Sequence, residues 1–234
     1  TWSKDSDNTG DTIIDCMMNI PILYRASTEL DDERFAMAAK HHAEKTMKYH
    51  VRSDGSCNHI NEYNPITGEF IRAHGGQGCD ENSSWTRGQA WGIYGFALSY
   101  RYTKKVEYLD TAKRIAQYFI TNAQASDWRV LCDFKQPKEP VIYDSTAAAI
   151  AACGLLEIAD YVSENEKDLY RSVAIKLIKI LYDEFCDWTD SEDSILQKGT
   201  EAYTRGIHIP IIYGDYFFSE AIYRLMGYNT SILW

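Results

Sequence analysis

Trp85-Thr86-Arg87-Gly88-Gln89-Ala90-Trp91-Gly92-Ile93-Tyr94-Gly95-Phe96 is the stretch of this 234-residue chain that says most about its fold. Its apolar residues recur at helical spacing. Arg87 and Trp91 are four residues apart and therefore share one helix face. Three glycines form an adjacent stripe without side chains, where another helix can approach closely. These glycines are Gly88, Gly92 and Gly95.

Helical spacing extends outward from this stretch through almost the whole chain, and no long alternating strand pattern competes with it. We predict an all-α single domain over residues 1–234, with helices at 11–28, 31–51, 84–103, 105–124, 145–163, 166–187 and 215–226. Short connections at 29–30 and 164–165 predict antiparallel helix pairs. The stretch 52–83 is more loop than a compact domain carries without a function for it, and a small hairpin is expected at 64–68.

The composition excludes several classes of partner. The chain has 24 Lys and Arg against 34 Asp and Glu, a net charge of −10, which argues against binding to duplex nucleic acid or an anionic membrane. Its longest apolar stretches fall far short of the roughly 18–20 residues that span a membrane, so we expect a soluble protein. The 17 Tyr, 8 Phe and 6 Trp are either core residues or rings that stack on sugars.

The six cysteines contain no Cys-x-x-Cys pair and no zinc-finger spacing, so the sequence indicates no metal site. Reduced cysteines favour the cytoplasm. Serine-hydrolase, metalloprotease, nucleotide and dinucleotide motifs are all missing from the sequence, and no cofactor is indicated. The first residue is Thr1 and no leader follows, so we expect a segment to precede it.

Asp15 is the candidate general acid. It is embedded in Ile13-Ile14-Asp15-Cys16-Met17-Met18-Asn19-Ile20, where apolar neighbours leave little polar surface. A carboxylate at the rim of such a pocket has a raised pKa, which suits proton transfer near neutral pH. The alternative is an Asp inside a helix that is hydrogen-bonded to a neighbouring turn.

The candidate ligand-binding residues lie on the glycine-rich helix and on the long loop. Arg87 offers a bidentate fork for a carboxylate, and Trp85 and Trp91 offer ring faces. The alternative for Arg87 and Trp91 is a structural ion pair and a core position. His59 and Gln77 lie on the loop, where polar side chains reach a ligand but are more often solvated.

Four spaced motifs resemble the unsaturated glucuronyl hydrolases of glycoside hydrolase family 88. They are Ile13-Ile14-Asp15-Cys16-Met17-Met18-Asn19; Gly76-Gln77-Gly78 with Ser84-Trp85-Thr86-Arg87-Gly88-Gln89-Ala90-Trp91-Gly92; Asp144-Ser145-Thr146-Ala147-Ala148-Ala149-Ile150 with Cys153-Gly154-Leu155-Leu156-Glu157; and Gly214-Asp215-Tyr216-Phe217-Phe218. The resemblance implies an (α/α)6 toroid of twelve helices with a cleft at one end. The implied partners are lyase-generated glycosaminoglycan or polyuronide fragments that end in a 4,5-unsaturated uronic acid.

The resemblance also implies the reaction, which is hydration of the C4–C5 vinyl ether to a hemiketal that opens and releases the sugar. Asp15 aligns with the general acid/base. His59, Gln77, Trp85, Arg87 and Trp91 match positions that line the unsaturated sugar. The residue chemistry assigns the substrate carboxylate to Arg87 and stacking to the Trp rings.

Two departures from the family pattern matter. The family's second essential Asp lies in a His-Asp motif on an earlier helix that this chain lacks, and seven helices are fewer than twelve. We therefore expect an incomplete toroid, the C-terminal portion of a larger enzyme, which alone is inactive. The loop at 204–210, Thr-Arg-Gly-Ile-His-Ile-Pro, lacks the serines and lysine of members that prefer sulfated substrates, which favours unsulfated ones.

Three alternatives stay open. Unsaturated rhamnogalacturonyl hydrolases share the fold and reaction but usually show Arg-Gly-Asn-Gly-Trp where this chain has Arg87-Gly88-Gln89-Ala90-Trp91. A sugar epimerase needs paired histidines on inner helices, whereas the adjacent His41 and His42 point in different directions. A non-catalytic glycan-binding remnant fits the missing acid. The sequence does not determine the oligomeric state.

Overall fold

A computed structural model describes residues 8–230 and 233–234. The described part contains seven α-helices and a small three-stranded antiparallel sheet. The helices are α1 (Pro21–Leu30), α2 (Glu33–Tyr49), α3 (Thr86–Thr103), α4 (Val106–Ala125), α5 (Ser145–Ala159), α6 (Glu164–Ile180) and α7 (Ile212–Leu225). The strands, in sheet order, are β1 (Asp11–Ile13), β2 (Ile60–Tyr63) and β3 (Phe70–His74). Among the described residues, no helix is both long and apolar enough to cross a membrane.

The first predicted helix, at 11–28, is wrong over its first half. Residues 11–13 form β1, which pairs with β2 so that Ile13 lies opposite Ile60. A short 3-10 helix, Ile14–Met18, follows, and α1 begins only at Pro21. Proline favours the first position of a helix because its missing N–H would have no partner there. The other six helices begin within three residues of the predicted positions, and β2 and β3 form the hairpin expected at 64–68.

The helices fall into inner and outer ones. Residues 86–99 of α3 and all of α5 are buried on every side, whereas α4 and α6 bury only one face. Helix α5 packs between α3 and α7, with α4 and α6 outside. The first turns of α3, α5 and α7 meet near Arg87, and their last turns meet near Glu157. The inner helices are therefore parallel, and this alternation of inner and outer helices is that of an incomplete α/α toroid.

A buried ionic network joins the inner helices at their C-terminal ends. Arg101 of α3 lies 2.5 Å from Glu157 of α5, and Arg224 of α7 lies 2.7 Å from the same carboxylate. Arg224 also pairs with Glu220, which accepts a hydrogen bond from the Tyr94 hydroxyl. Cations near helix C-termini interact favourably with the helix dipole. The network fixes the three inner helices at one end, so that their N-terminal ends have a defined spacing.

The glycine stripe on α3 receives the 3-10 helix rather than another α-helix. A Cβ on Gly95 would lie 2.5 Å from the carbonyl oxygen of Met17, and one on Gly88 would lie 3.2 Å from the Ile14 side chain. Ile14 and Met17 are both fully buried. Because these two residues flank Asp15, the stripe sets the position of the candidate acid.

Candidate active site

Asp15 lies on the 3-10 helix beside the first turn of α3, not in the interior of an α-helix. Its side chain is 26% exposed, so the carboxylate is at the rim of the fold. Oδ2 lies 3.3 Å from Nε2 of His59. Both atoms are buried, and neither forms a hydrogen bond within the described part of the chain, so their contact is one of proximity and charge. The structure thus brings together two of the predicted site residues.

His59 is fixed by three neighbours. Its Nδ1 accepts a hydrogen bond of 2.9 Å from the backbone N–H of Gln77. The imidazole packs against the indole of Trp85, with the ring centroids 4.4 Å apart. A side chain on Gly76, whose φ is +60°, would overlap the imidazole. Only 3% of His59 is exposed, so its ring faces Asp15 rather than solvent.

Gln77 connects this corner to the loop between α6 and α7. Its amide Nε2 donates a hydrogen bond of 2.5 Å to the carbonyl oxygen of Glu201. Its own carbonyl accepts one of 3.0 Å from the N–H of Tyr203. The residue is 7% exposed. In this arrangement Gln77 holds the loop, and its amide does not project into open space.

Arg87 has the structural ion pair that the sequence left open as an alternative. Its guanidinium lies 2.7 Å from Asp144 and donates to the carbonyl oxygens of Thr200, at 2.7 Å, and Glu201, at 2.6 Å. The residue is 1% exposed. In this structure both Nη atoms donate to protein groups, so Arg87 does not present a free fork, and its role toward a substrate carboxylate stays a prediction.

Trp85 and Trp91 do not present open ring faces. Trp85 is 2% exposed, with His59 against its ring and the Arg87 guanidinium 4.7 Å from its centroid. Trp91 is 8% exposed and packs edge-on against Phe217. In this structure His59 and Arg87 lie against the Trp85 ring, and its stacking on a sugar stays a prediction. The indole Nε1 atoms of both residues are buried without a hydrogen-bond partner in the described ranges.

Two buried carboxylates at the site escaped the sequence analysis. Asp144, at the start of α5, is fully buried; burial raises its pKa, and Arg87 opposes that shift. Asp133 accepts hydrogen bonds from the backbone N–H groups of Ser84 and Cys79, and so fixes the segment that leads into α3. The sequence signal for Asp144 is its position directly before the apolar helix α5. A carboxylate that is buried there needs a cation as its partner.

The thiols and metal ligands at hand do not suggest further chemistry. Burial raises the pKa of Cys16, which lies next to Asp15, to about 12, and a protonated thiol is a poor nucleophile. Within residues 8–230 and 233–234, no group of three His, Cys, Asp or Glu side chains is placed to hold a metal ion.

Comparison with known proteins shows that the chain is similar to sugar-active enzymes. No family model matches the chain. It is 40% identical over 227 residues to an unsaturated glucuronyl hydrolase of Bacillus sp. strain GL1, a match that covers 94% of this chain and 60% of that protein. It is 31% identical over 220 residues to an unsaturated chondroitin disaccharide hydrolase of Streptococcus pyogenes serotype M1, covering 91% and 54%. The chain thus spans somewhat more than half the length of the curated relatives that it matches.

Solved structures agree with these relatives. The crystal structure of the Bacillus sp. GL1 unsaturated glucuronyl hydrolase, described as responsible for the degradation of glycosaminoglycan, superimposes with a TM-score of 0.90 at 39% identity, over 96% of this chain and 62% of that one. A mutant of the Streptococcus agalactiae enzyme complexed with dGlcA-GalNAc6S superimposes with a TM-score of 0.79 at 29% identity, over 91% and 58%. The resemblance expected from the sequence is confirmed, and so is the toroid fold class.

Proposed function

We propose that this chain, a relative of the unsaturated glucuronyl hydrolases, carries the general acid/base of an active site. That site removes 4,5-unsaturated uronic acid from the non-reducing end of oligosaccharides. The observation that carries the proposal is the pairing of Asp15 with His59 at the rim of the site, 3.3 Å apart. Asp15 belongs to the first of the four motifs that resemble that family, and His59 matches a position that lines the sugar there.

The chemistry requires one group that first gives and then takes a proton. Protonated Asp15 gives its proton to C4 of the vinyl ether, and the carboxylate then takes a proton from the water that adds to C5. The resulting C5 hemiketal opens, which leaves a hemiacetal at C1 that releases the remaining sugar. One water is consumed. A positioned acid/base of this kind contributes about 10²–10⁴-fold in rate.

Arg87 and Asp144 form a buried ion pair whose charges compensate each other, so we assign the pair a structural role in the site. Their ion pair of 2.7 Å is fully buried, and the guanidinium also holds the carbonyls of Thr200 and Glu201. Gln77 donates to the same Glu201 carbonyl. We infer that Arg87 and Gln77 fix the position of the loop that covers the bound sugar. Other residues then hold the substrate carboxylate.

The substrate class follows from that loop. Arg205, the exposed cation within residues 204–210 of that loop, lies 2.8 Å from the carboxylate of Glu201, which offsets the positive charge that a sulfate would need. His208 is held by the N–H of Tyr143 at 3.0 Å. The preferred substrate in this proposal is therefore an unsulfated disaccharide such as dGlcA-GalNAc.

The test is a spectrophotometric assay of the intact protein, because hydration removes the ultraviolet absorbance of the conjugated uronic acid. We expect turnover of dGlcA-GalNAc, slower turnover of dGlcA-GalNAc6S, and none of the saturated disaccharide. Equal release of GalNAc from the saturated and unsaturated sugars, measured by chromatography, would mean ordinary glycoside hydrolysis. Absorbance that does not change with either unsaturated sugar would favour the glycan-binding alternative.

A further inference from the structure

Asp133 is a buried carboxylate whose partners are backbone N–H groups. It lies between α4 and α5 and is fully buried. Oδ1 accepts hydrogen bonds from the N–H groups of Ser84, at 2.9 Å, and Lys135, at 2.8 Å. Oδ2 accepts one of 3.2 Å from the N–H of Cys79. Burial raises the pKa of Asp133, and these N–H groups oppose that shift.

Two of these donors belong to one loop, residues 75–84, which leads into α3. Cys79 lies in the middle of the loop and Ser84 at its end, so the carboxylate holds the loop at two points. A Cβ on Gly78 would lie 2.7 Å from Oδ2 of Asp133. The loop therefore lies directly against the carboxylate, and only a residue without a side chain fits between them.

The residues next to these two points hold the ring of His59. The backbone N–H of Gln77, two residues before Cys79, donates to Nδ1 of His59 at 2.9 Å. Trp85 directly follows Ser84, and its indole packs against the imidazole with the ring centroids 4.4 Å apart. One carboxylate thus anchors both the hydrogen-bond donor and the packing surface of the imidazole.

We propose that Asp133 is a positioning residue, which through this loop sets where the imidazole of His59 lies beside Asp15. The proposal rests on the proposed function for its catalytic meaning. Asp133 is itself fully buried, so it acts on the reaction only through Gln77 and Trp85. Nε2 of His59 lies 3.3 Å from the buried Oδ2 of Asp15, and a displaced ring would open that oxygen to water.

The first test needs no catalysis. Asp133→Asn keeps the shape of the side chain, but its Nδ2 cannot accept a hydrogen bond, so one link to the loop is lost. Since Nδ1 of His59 accepts the Gln77 N–H, the proton of the neutral ring is on Nε2. We expect the ¹⁵N resonances of His59 in the intact protein to show this one tautomer in the wild type and a mixture of both in Asp133→Asn. An unchanged His59 spectrum in the folded variant would overturn the proposal.

Asp80→Asn is the matched control in the same loop. Asp80 accepts the backbone N–H of Asn82 at 2.8 Å, a bond that stays within the loop and that an amide oxygen can still accept. The control therefore removes a carboxylate charge without releasing the loop, and we expect the wild-type spectrum of His59. A change as large as that in Asp133→Asn would mean that charge, and not anchoring, is responsible.

Gly78→Ala makes the same test if Asp133→Asn does not fold. It keeps the carboxylate but places a Cβ 2.7 Å from Oδ2, so the loop has to move away from Asp133. We expect the same mixture of His59 tautomers. A folded Gly78→Ala protein with the wild-type His59 spectrum would contradict the anchoring role.

The kinetic test separates positioning from binding. We expect kcat of Asp133→Asn to fall about 10-fold with KM changed less than about twofold, because one hydrogen bond to a charged group is lost and the sugar is not contacted. A higher KM with an unchanged kcat would contradict the proposal. A wild-type protein without turnover would overturn the proposed function, whereas the His59 spectra would still decide whether Asp133 holds the ring.

Discussion

At the residue scale, the sequence predicts that Arg87 binds a carboxylate, but it does not predict which carboxylate. An arginine beside two tryptophans predicted a fork for an anionic sugar, but the carboxylate that it meets is Asp144 of its own chain, 57 residues further on. Local spacing cannot reveal such a pairing, because only the packing of α5 against α3 brings the two side chains together. Gln77 and Trp85 lie beside His59 in the structure, and their contacts are with protein groups.

Arg87→Lys tests the role that the structure gives this residue. A lysine retains the charge beside Asp144 but cannot also reach the carbonyls of Thr200 and Glu201. We expect a loss of kcat/KM corresponding to about 1.5–3 kcal/mol, because the loop that these bonds hold is released.

The discriminating measurement compares an unsaturated substrate with its carboxylate methyl ester. A loop-holding Arg87 predicts that Arg87→Lys reduces kcat/KM for both by the same factor. If the variant loses activity on the free acid but not on the ester, Arg87 binds the substrate carboxylate after all. Asp144→Asn is the matched control, and it should show the same acid-to-ester ratio as the wild type.

At the scale of elements, helices that lie inside the fold were the easiest to predict and the short sheet was the hardest. Helix α5 begins at the predicted residue, because an acid precedes an uninterrupted apolar run. The first predicted helix fails because β1 gains its hydrogen bonds from β2, some fifty residues away. The residue pattern of 11–18 fits a helix and a strand followed by a 3-10 helix equally well, and only the distant partner decides between them.

Gly95→Ala tests the coupling between the glycine stripe and Asp15. Its Cβ would meet the Met17 backbone, which cannot move independently of Asp15. We expect a loss of stability of about 1–3 kcal/mol from overpacking and a lower kcat, measured by urea unfolding and by turnover. Gly92→Ala is the control, since its Cβ would meet only the ends of side chains, none of them closer than 3.0 Å. A Gly95→Ala protein as stable and active as Gly92→Ala would show that the close contact with the Met17 backbone does not position the acid.

His50 joins the end of α2 to β1 and gives the fold a pH dependence. It is fully buried, donates from Nδ1 to the Asn58 carbonyl and accepts at Nε2 from the Thr12 hydroxyl. Burial lowers its pKa from 6.5 to about 4. Since the unfolded chain takes up the proton first, the free energy of unfolding falls as the pH drops from about 6.5 to about 4, by on the order of 3 kcal/mol.

Urea unfolding of the wild type and His50→Gln between pH 7.5 and 4 measures this contribution. The variant is expected to be less stable at pH 7.5, where both buried hydrogen bonds matter, but to lose less stability on acidification. Parallel pH profiles for the two proteins would mean that His50 takes up its proton in the folded state as easily as in the unfolded one.

At the scale of the whole molecule, the helices at the two ends of the described arc carry exposed apolar side chains. Ile22 of α1 is 70% exposed and Ile212 of α7 is 79% exposed. Concavities of about 560 Å³ and 430 Å³ adjoin these residues. The superimposed Bacillus sp. GL1 structure is longer, and this chain covers 62% of it. Apolar surface of this kind marks a place where another element packs.

We therefore expect residues 1–234, expressed alone, to be unstable or to self-associate, and to lack turnover. Light scattering measures the association state, and the absorbance assay measures turnover in the same sample. A monodisperse monomer with normal turnover would show that the exposed faces need no partner and that Asp15 needs no second acid from outside this chain.

The central claim, that Asp15 is the acid that hydrates the unsaturated sugar, is tested most directly by Asp15→Asn in the intact protein. The amide keeps the shape and can still face His59, but it cannot deliver a proton. The account predicts that the rate of absorbance loss falls by about 10²–10⁴-fold while the affinity for the unsaturated disaccharide, measured by calorimetry, changes little. A variant that retains a tenth of the wild-type rate would contradict it.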